Sequence, residues 1–255
     1  MRSLKVLSLG GALALAASSL PAFAQEMPQP AKQDWSFYGP FGTYDRASLQ
    51  RGFQIYREVC AACHSMNMLA YHDLSGIGYD AAQIKAIAAS VQIPDTDDTG
   101  QPADRPGLPS DRFKAPFPNE KAARAGNNGA VPPDQSLLSR GREGGPDYIY
   151  ALMTSYKDTP PAGVKMGSGM YYNDAFPGHQ IAMPPPLSDD RVSYADGTKA
   201  TIAQEAKDVA TFLAWTSDPH LEDRHRIGAR VIIFLVALSG VMYGVKRKIW
   251  SQVEH

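Results

Sequence analysis

Three stretches of the chain carry an apolar pattern strong enough to predict an element. In "DRASLQRGFQIYREV", residues 45–59, Leu49, Gly52, Phe53, Tyr56 and Val59 recur at helical spacing, while Arg46, Gln50, Gln54, Arg57 and Glu58 take the rest of the surface. The spacing predicts an amphipathic helix that runs directly into Cys60. In "TIAQEAKDVATFLAWTSDP", residues 201–219, Ile202, Ala206, Val209, Ala210 and Leu213 form one stripe. Thr201 and Gln204 have the spacing of a capping box, and Pro219 marks the stop. Gly52 lacks a side chain, so the first helix can cross the second closely there. The third stretch, Ile227 to Val245, is apolar throughout except for Arg230. Its 19 residues make a rod of roughly 28 Å, about the thickness of a bilayer's hydrocarbon core. It predicts a transmembrane helix.

The chain's beginning has a different pattern. Arg2 and Lys5 precede an apolar run from Val6 to Ala17, and Ala22-Phe23-Ala24 supplies the small residues of a cleavage site. Residues 1–24 therefore read as a secretory signal peptide, too short an apolar run to span. Lys246, Arg247 and Lys248 follow the C-terminal span and favour the cytoplasmic side. The expected organisation is an exported, periplasmic head over residues 25–225, a span over 226–246 and a cytoplasmic tail over 247–255 in a bacterial inner membrane. Between Val91 and Pro133 there are eight prolines and four glycines, so this segment is expected to be a long loop over the head rather than part of its core.

Charge sharpens the picture of the head. The whole chain is nearly neutral, at −1, but residues 25–220 hold 17 Lys and Arg against 23 Asp and Glu, which leaves −6. An acidic head repels nucleic acid and favours a basic partner. Among motifs, the chain has no P-loop, GxGxxG, GxSxG or HExxH, and nothing looks placed for proton abstraction or nucleophilic attack.

The two cysteines, Cys60 and Cys63, are the only ones in the chain. In an oxidising compartment such a pair can be a disulfide, a redox dithiol, half a zinc site or a haem tether. Zinc would need two more ligands, and a dithiol would need a strand–helix scaffold, whereas a helix leads into this pair. His64 completes CxxCH, the attachment signature of c-type haem. Cys60 and Cys63 are then the thioether tethers and His64 the proximal iron ligand. For the sixth ligand the best candidate is Met183 of "IAMPPPLSDD", 119 residues beyond His64. Pro184, Pro185 and Pro186 stiffen the chain behind it. His179, His72, Met166 and Met170 are the competitors. A thioether opposite an imidazole raises the reduction potential and leaves no open position on the iron. That pair suits electron transfer.

Several stretches together are more restrictive than CxxCH alone: "RGFQIYREVCAACHSM", "AARAGNNGAVPPDQSLLSRGREGGPDYIYALMTSY", "YYNDAFPGHQIAMPPPL", "DVATFLAWTSDP" and a span ending in "KRKIW". In this order the chain resembles the cytochrome c1 family, the haem subunit of quinol:cytochrome c oxidoreductase, over most of residues 35–250. The resemblance implies a mostly α, mono-haem cytochrome c-like head with a long loop insertion and one C-terminal transmembrane helix. It implies one haem c, with Met183 as the distal ligand, Arg140 pairing with a propionate and Tyr148 hydrogen-bonding near it. It further implies an electron received from the Rieske iron–sulfur protein and passed to a soluble cytochrome c, in a dimeric complex with cytochrome b, whose partner subunits oxidise the quinol. Two rivals stand beside it: a free-standing anchored cytochrome or haem subunit of another oxidase, and a haemless periplasmic dithiol protein.

Overall fold

The computed structural model describes residues 28–251, so the signal-peptide reading of residues 1–24 and the last four residues of the tail lie outside the described residues. The chain runs through α1 (Arg46–Glu58), a 3-10 turn (Cys60–Ala62), a second 3-10 segment (Tyr71–Ile77), α2 (Ala81–Ala89), β1 (Gln92–Thr96), β2 (Pro102–Pro106) and α3 (Glu120–Gly126). Then come α4 (Pro146–Thr154), β3 (Tyr171–Tyr172), β4 (Gln180–Ile181), α5 (Ile202–Ser217) and α6 (Leu221–Trp250). The fold is mostly helical, with only two small antiparallel hairpins, β1–β2 and β3–β4, among the described residues.

Helix α1 starts where Asp45 caps the amides of Ala47 and Ser48. It buries Leu49, Gly52, Phe53, Ile55 and Tyr56, which is the expected face with Ile55 added and Val59 only half-buried at its end. Helix α5 is the centre of the head. Thr201 caps the Gln204 amide as the capping box requires, but the Gln204 side chain turns inward to Asp208 at 3.0 Å instead of returning to the cap. From Glu205 to Ser217 every residue except Lys207 is buried. One face packs on α1 and another on α4, so a stripe on one side understated its burial.

The crossing of α1 and α5 is as close as two backbones allow. A Cβ added at Gly52 would lie 2.1 Å from the Asp208 carbonyl oxygen and 2.6 Å from the Phe212 Cβ. Around this point the Phe53 ring meets Phe212 and Phe113 in tilted contacts, with centroids 5.7 and 6.0 Å away. The Asp208 carboxylate is fully buried, yet it accepts from Ser48 Oγ at 2.7 Å, Arg51 Nε at 2.8 Å and Gln204 Nε2 at 3.0 Å. Arg51 spans outward to Asp196 at 2.7 Å. A buried charge is tolerable only when it is satisfied in this way.

The segment between Val91 and Pro133 departs from the expected loop. It contains the β1–β2 hairpin and α3, and its Phe113 enters the core at 6% exposure, 4.7 Å from the Tyr71 ring. Arg105 ties the hairpin together by reaching Asp95 at 2.5 Å and Asp111 at 2.6 Å. The prolines sit where they do little harm, since a two-stranded ribbon is all edge.

Helix α6 leaves the head after the break at Asp218-Pro219; none of its residues is buried, and from Arg230 onward all are exposed. It is long and apolar enough to cross a membrane. Its first turns are held to the head, with Arg224 forking onto Asp218 and Arg46 meeting Glu222 at 2.6 Å.

Three outcomes follow for stability. Gly52→Ala should lower head stability by about 3 kcal/mol, since the added methyl meets backbone and a Cβ that cannot swing away. Gly228→Ala, where an added Cβ meets open space on α6, should leave the thermal midpoint of the detergent-solubilised chain no lower than the parent's, since Ala is the better helix former. Glu205 is fully buried, with Oε2 lacking a partner, and burial raises its pKa despite the Val192 amide at 3.2 Å. The unfolded carboxyl ionises before the folded one, so this group costs stability as pH rises above its ordinary value. Glu205→Gln should therefore gain in midpoint over the parent as pH climbs from 4 to 7, and coincident midpoints at all pH values would refute the assignment.

Candidate functional site

Helix α1 ends with Val59 out of helical conformation (φ −120°, ψ −58°), and the chain turns at once. The Cys60 carbonyl accepts from the Cys63 amide at 3.1 Å and the His64 amide at 2.9 Å. This tight turn brings Cys60, Cys63 and His64 onto the wall of a cavity of about 300 Å³. Its other walls come from distant parts of the chain: Gln135, Met153 of α4, and the run from Met183 to Ser188 with Arg191.

The imidazole is held from behind. His64 Nδ1 lies 2.8 Å from the Pro133 carbonyl. A carbonyl only accepts, so Nδ1 carries the hydrogen and Nε2 keeps its lone pair. Burial lowers the His64 pKa, and the Pro133 bond pulls the other way without cancelling it. A neutral imidazole with one committed nitrogen is the form that ligates a metal. The strand of chain supplying Pro133 is itself anchored. Gln135 N donates to the Ser65 carbonyl at 2.8 Å, and the Asp134 carboxylate accepts from Ser65 Oγ and Asn67 N, both at 2.8 Å. Burial alone would raise Asp134, but these bonds and those from Ser136 hold its carboxyl below the usual range.

Met183 reaches the same cavity through a second rigid path. The β3–β4 pair fixes Ile181 opposite Tyr171, and Tyr156 Oη donates to the Met183 carbonyl at 3.1 Å. Met183 packs against Tyr148, Leu152 and Ile181. Of the five candidates for a second axial ligand, Met183 alone lines the cavity. His179 stacks on Tyr172 with centroids 5.7 Å apart, and His72 Nδ1 turns to the Pro109 carbonyl at 3.1 Å.

The two residues assigned only by resemblance stand back from the wall. Tyr148 is buried at 6% exposure among the side chains that support Met183. Arg140 is exposed and its guanidinium pairs with Asp218 at the root of α6. Sequence reasoning missed Pro133, Gln135 and Arg191. Pro133 and Gln135 act through contacts 69–70 residues from His64 and Ser65, which no local pattern announces. Arg191 is the one cation among the cavity's lining residues.

The donor set is informative. Two thiols, one imidazole and two thioethers, those of Met153 and Met183, face a mostly apolar space with no carboxylate in its wall. Among the described residues no cluster of three or more His, Cys, Asp and Glu side chains is placed to hold a bare metal ion. Burial pushes the Cys60 thiol up to about 12, the opposite of what a reactive dithiol needs. A flat, apolar macrocycle that supplies its own equatorial nitrogens fits these residues. Gln135 Oε1, buried on the same wall without a partner, is a further sign that the wall is built to face a bound group.

Comparison with known proteins agrees with this geometry. The family model described as "Cytochrome C1 family" matches residues 35–253. The chain is 46% identical over 245 residues to "Cytochrome b/c1" of Bradyrhizobium diazoefficiens, a longer protein of which it covers 36% while 88% of this chain is matched. It is 45% identical over 240 residues to cytochrome c1 of Rhodospirillum rubrum, covering 88% of both chains. To the "Cytochrome b-c1 complex catalytic subunit, mitochondrial" of Candida albicans it is 47% identical over 227 residues, which is 89% of this chain and 79% of that one. With the family model spanning both the Cys60–His64 turn and the Met183 loop, the chain belongs to the cytochrome c1 family.

Proposed function

We propose that this chain is the electron-transfer subunit of a quinol:cytochrome c oxidoreductase, carrying one haem c bound through Cys60 and Cys63. The observation that carries the reading is the convergence of Cys60, Cys63, His64 and Met183 on one cavity, with His64 Nδ1 already committed to Pro133. When bound, the haem supplies an iron that alternates between ferric and ferrous states and so moves one electron. The protein's part would be to hold the two side chains that ligate the group: His64 is fixed by Pro133, and Met183 by Tyr156 and β4. Met153 and Leu187 help to exclude water from the space between them. Arg191 is the candidate on the cavity wall for pairing with a haem carboxylate. Arg140 and Tyr148 are kept as contacts on the strength of the family resemblance; a guanidinium engaged with Asp218 still has donors to spare.

The electron arrives from a Rieske iron–sulfur protein and leaves to a soluble cytochrome c, while quinol is oxidised elsewhere in the assembly. The Candida relative is named as part of a cytochrome b-c1 complex, and the Bradyrhizobium relative is named for both b and c1. These names support cytochrome b as a neighbour, in a complex expected to be dimeric. The head lies in the periplasm, exported by residues 1–24. α6 is its anchor, and Lys246, Arg247 and Lys248 lie on the cytoplasmic side.

Covalent attachment predicts a haem-stained band that survives denaturing electrophoresis and vanishes in a Cys60→Ser, Cys63→Ser double variant. A colourless parent chain would end this reading in favour of a dithiol protein. Met183→Leu should lower the reduction potential by roughly 0.2 V, within the span of about 0.8 V that axial ligands command. It should also let carbon monoxide bind the ferrous iron; an unchanged titration would transfer the role to another residue. Reduction of a basic acceptor should slow as ionic strength rises, because screening weakens its attraction to the acidic head.

A further inference from the structure

Among the described residues outside α6, no large apolar side chain is more exposed than Phe41, at 83%. Its exposure is not the looseness of a floppy loop. Gly39 to Gly42 form a turn closed by the Gly42 amide on the Gly39 carbonyl at 3.3 Å, with Gly39 at φ +84° and Pro40 fixing the next residue. The Thr43 amide reaches back to Ser36 O at 3.0 Å. A Cβ added at Gly42 would lie 2.3 Å from the Phe37 carbonyl carbon, so the turn is packed hard against its own base. Phe37 itself is buried, 5.5 Å from the Trp35 ring and 4.9 Å from Tyr44. The fold has a place for that aromatic and presents Phe41 and half of Tyr38 outward.

The direction of presentation is set by α6. The Gly42 carbonyl accepts from His225 Nδ1 at 3.0 Å, and Glu222 accepts from the Tyr44 amide at 2.8 Å and from Arg46 at 2.6 Å. The apolar run of α6 begins at Ile227, two residues past His225, which is about 3 Å along the axis. Phe41 thus sits beside the point where the helix becomes apolar. Membrane helices carry aromatics at both water interfaces. The far end of α6 has Tyr243 and Trp250, both more than half exposed, but from Leu221 to Ile233 the helix has no Phe, Tyr or Trp.

We propose that the Tyr38–Phe41 turn supplies the missing aromatic contact, with Phe41 lying in the headgroup–acyl boundary of the leaflet that α6 enters. The head then meets phospholipid at two points, α6 and the turn, and the second contact limits how far the head and α6 together can tilt in the bilayer. This rests on α6 crossing a bilayer, and the test separates the two. Phe41 and, in a second variant, Phe234 in the middle of α6 are replaced by p-benzoylphenylalanine in the full chain. Each is illuminated in native membranes and the adducts are read by mass spectrometry. The expected result is the mass of one phospholipid added at position 41, with position 234 captured by lipid or by a membrane-embedded segment. An adduct at 234 with none at 41, or with only a protein neighbour at 41, overturns the lipid contact while leaving the span intact. Failure at both positions overturns the span as well.

Discussion

The closeness of α1 to α5 is the constraint on which the rest of the head depends. With only hydrogen at Gly52, the Asp208 carbonyl approaches to where a Cβ would be 2.1 Å away. That contact fixes the rotation of α1 about its axis, and the fully buried Asp208 carboxylate reads the same rotation through Ser48 and Arg51. Steric fit and ion pairing thus specify one register. Since α1 ends two residues before Cys60, any error in that register would carry the Cys60–His64 turn away from the cavity. A buried ion pair contributes little to net stability beside an apolar substitute, but a misregistered helix would leave its charge unpaired, and that is costly. Specificity is what the arrangement gains.

The site itself is made of two rigid arms that meet across the cavity. One is the turn after α1, backed by Pro133 and Gln135; the other is the Met183 loop, backed by α4 and the β3–β4 pair. On the first arm the carbonyls of Pro133 and Ser65 are engaged, and on the second the Met183 carbonyl and the buried Tyr148, Leu152 and Ile181. The cavity receives His64 from one arm and Met183 from the other. On the proposed reading, side chains backed in this way would keep reorganisation small when an electron moves.

Much of this was legible in the sequence because it is written locally. The faces of α1 and α5, the apolar run of α6, the spacing of Cys60, Cys63 and His64, and the prolines behind Met183 each lie within one short window. What was not legible depends on partners far away. Phe113 sits in a proline-rich segment that reads as loop, and only Tyr71 and Phe53, brought there by the fold, make it core. Pro133 carries no local sign that its carbonyl will meet an imidazole 69 residues earlier. Arg140 reads as a loop cation, whereas its partner Asp218 is 78 residues on, at the end of another helix. The resemblance named Arg140 as important without revealing this partner.

That last pairing ties the two halves of the molecule together. Asp218 is buried at 9% exposure and receives Arg140 from the loop before α4 and Arg224 from the first turn of α6. Tyr44, next to the α1 cap, donates to the Asp218 and Ala214 carbonyls at 3.2 and 3.3 Å. The Arg224 hydrogen bond, with Arg140's beside it, holds the Asp218 carboxyl below its ordinary range, so it stays ionised and the clasp stays closed at neutral pH. Pro219 ends α5 and would otherwise be a free hinge between head and anchor. With three elements converging on the residue before it, the hinge is locked. The loop that leads into α4, and through α4 to the support of Met183, is therefore fastened at the same point as the membrane helix. The cavity-bearing head is thereby given a fixed bearing relative to α6.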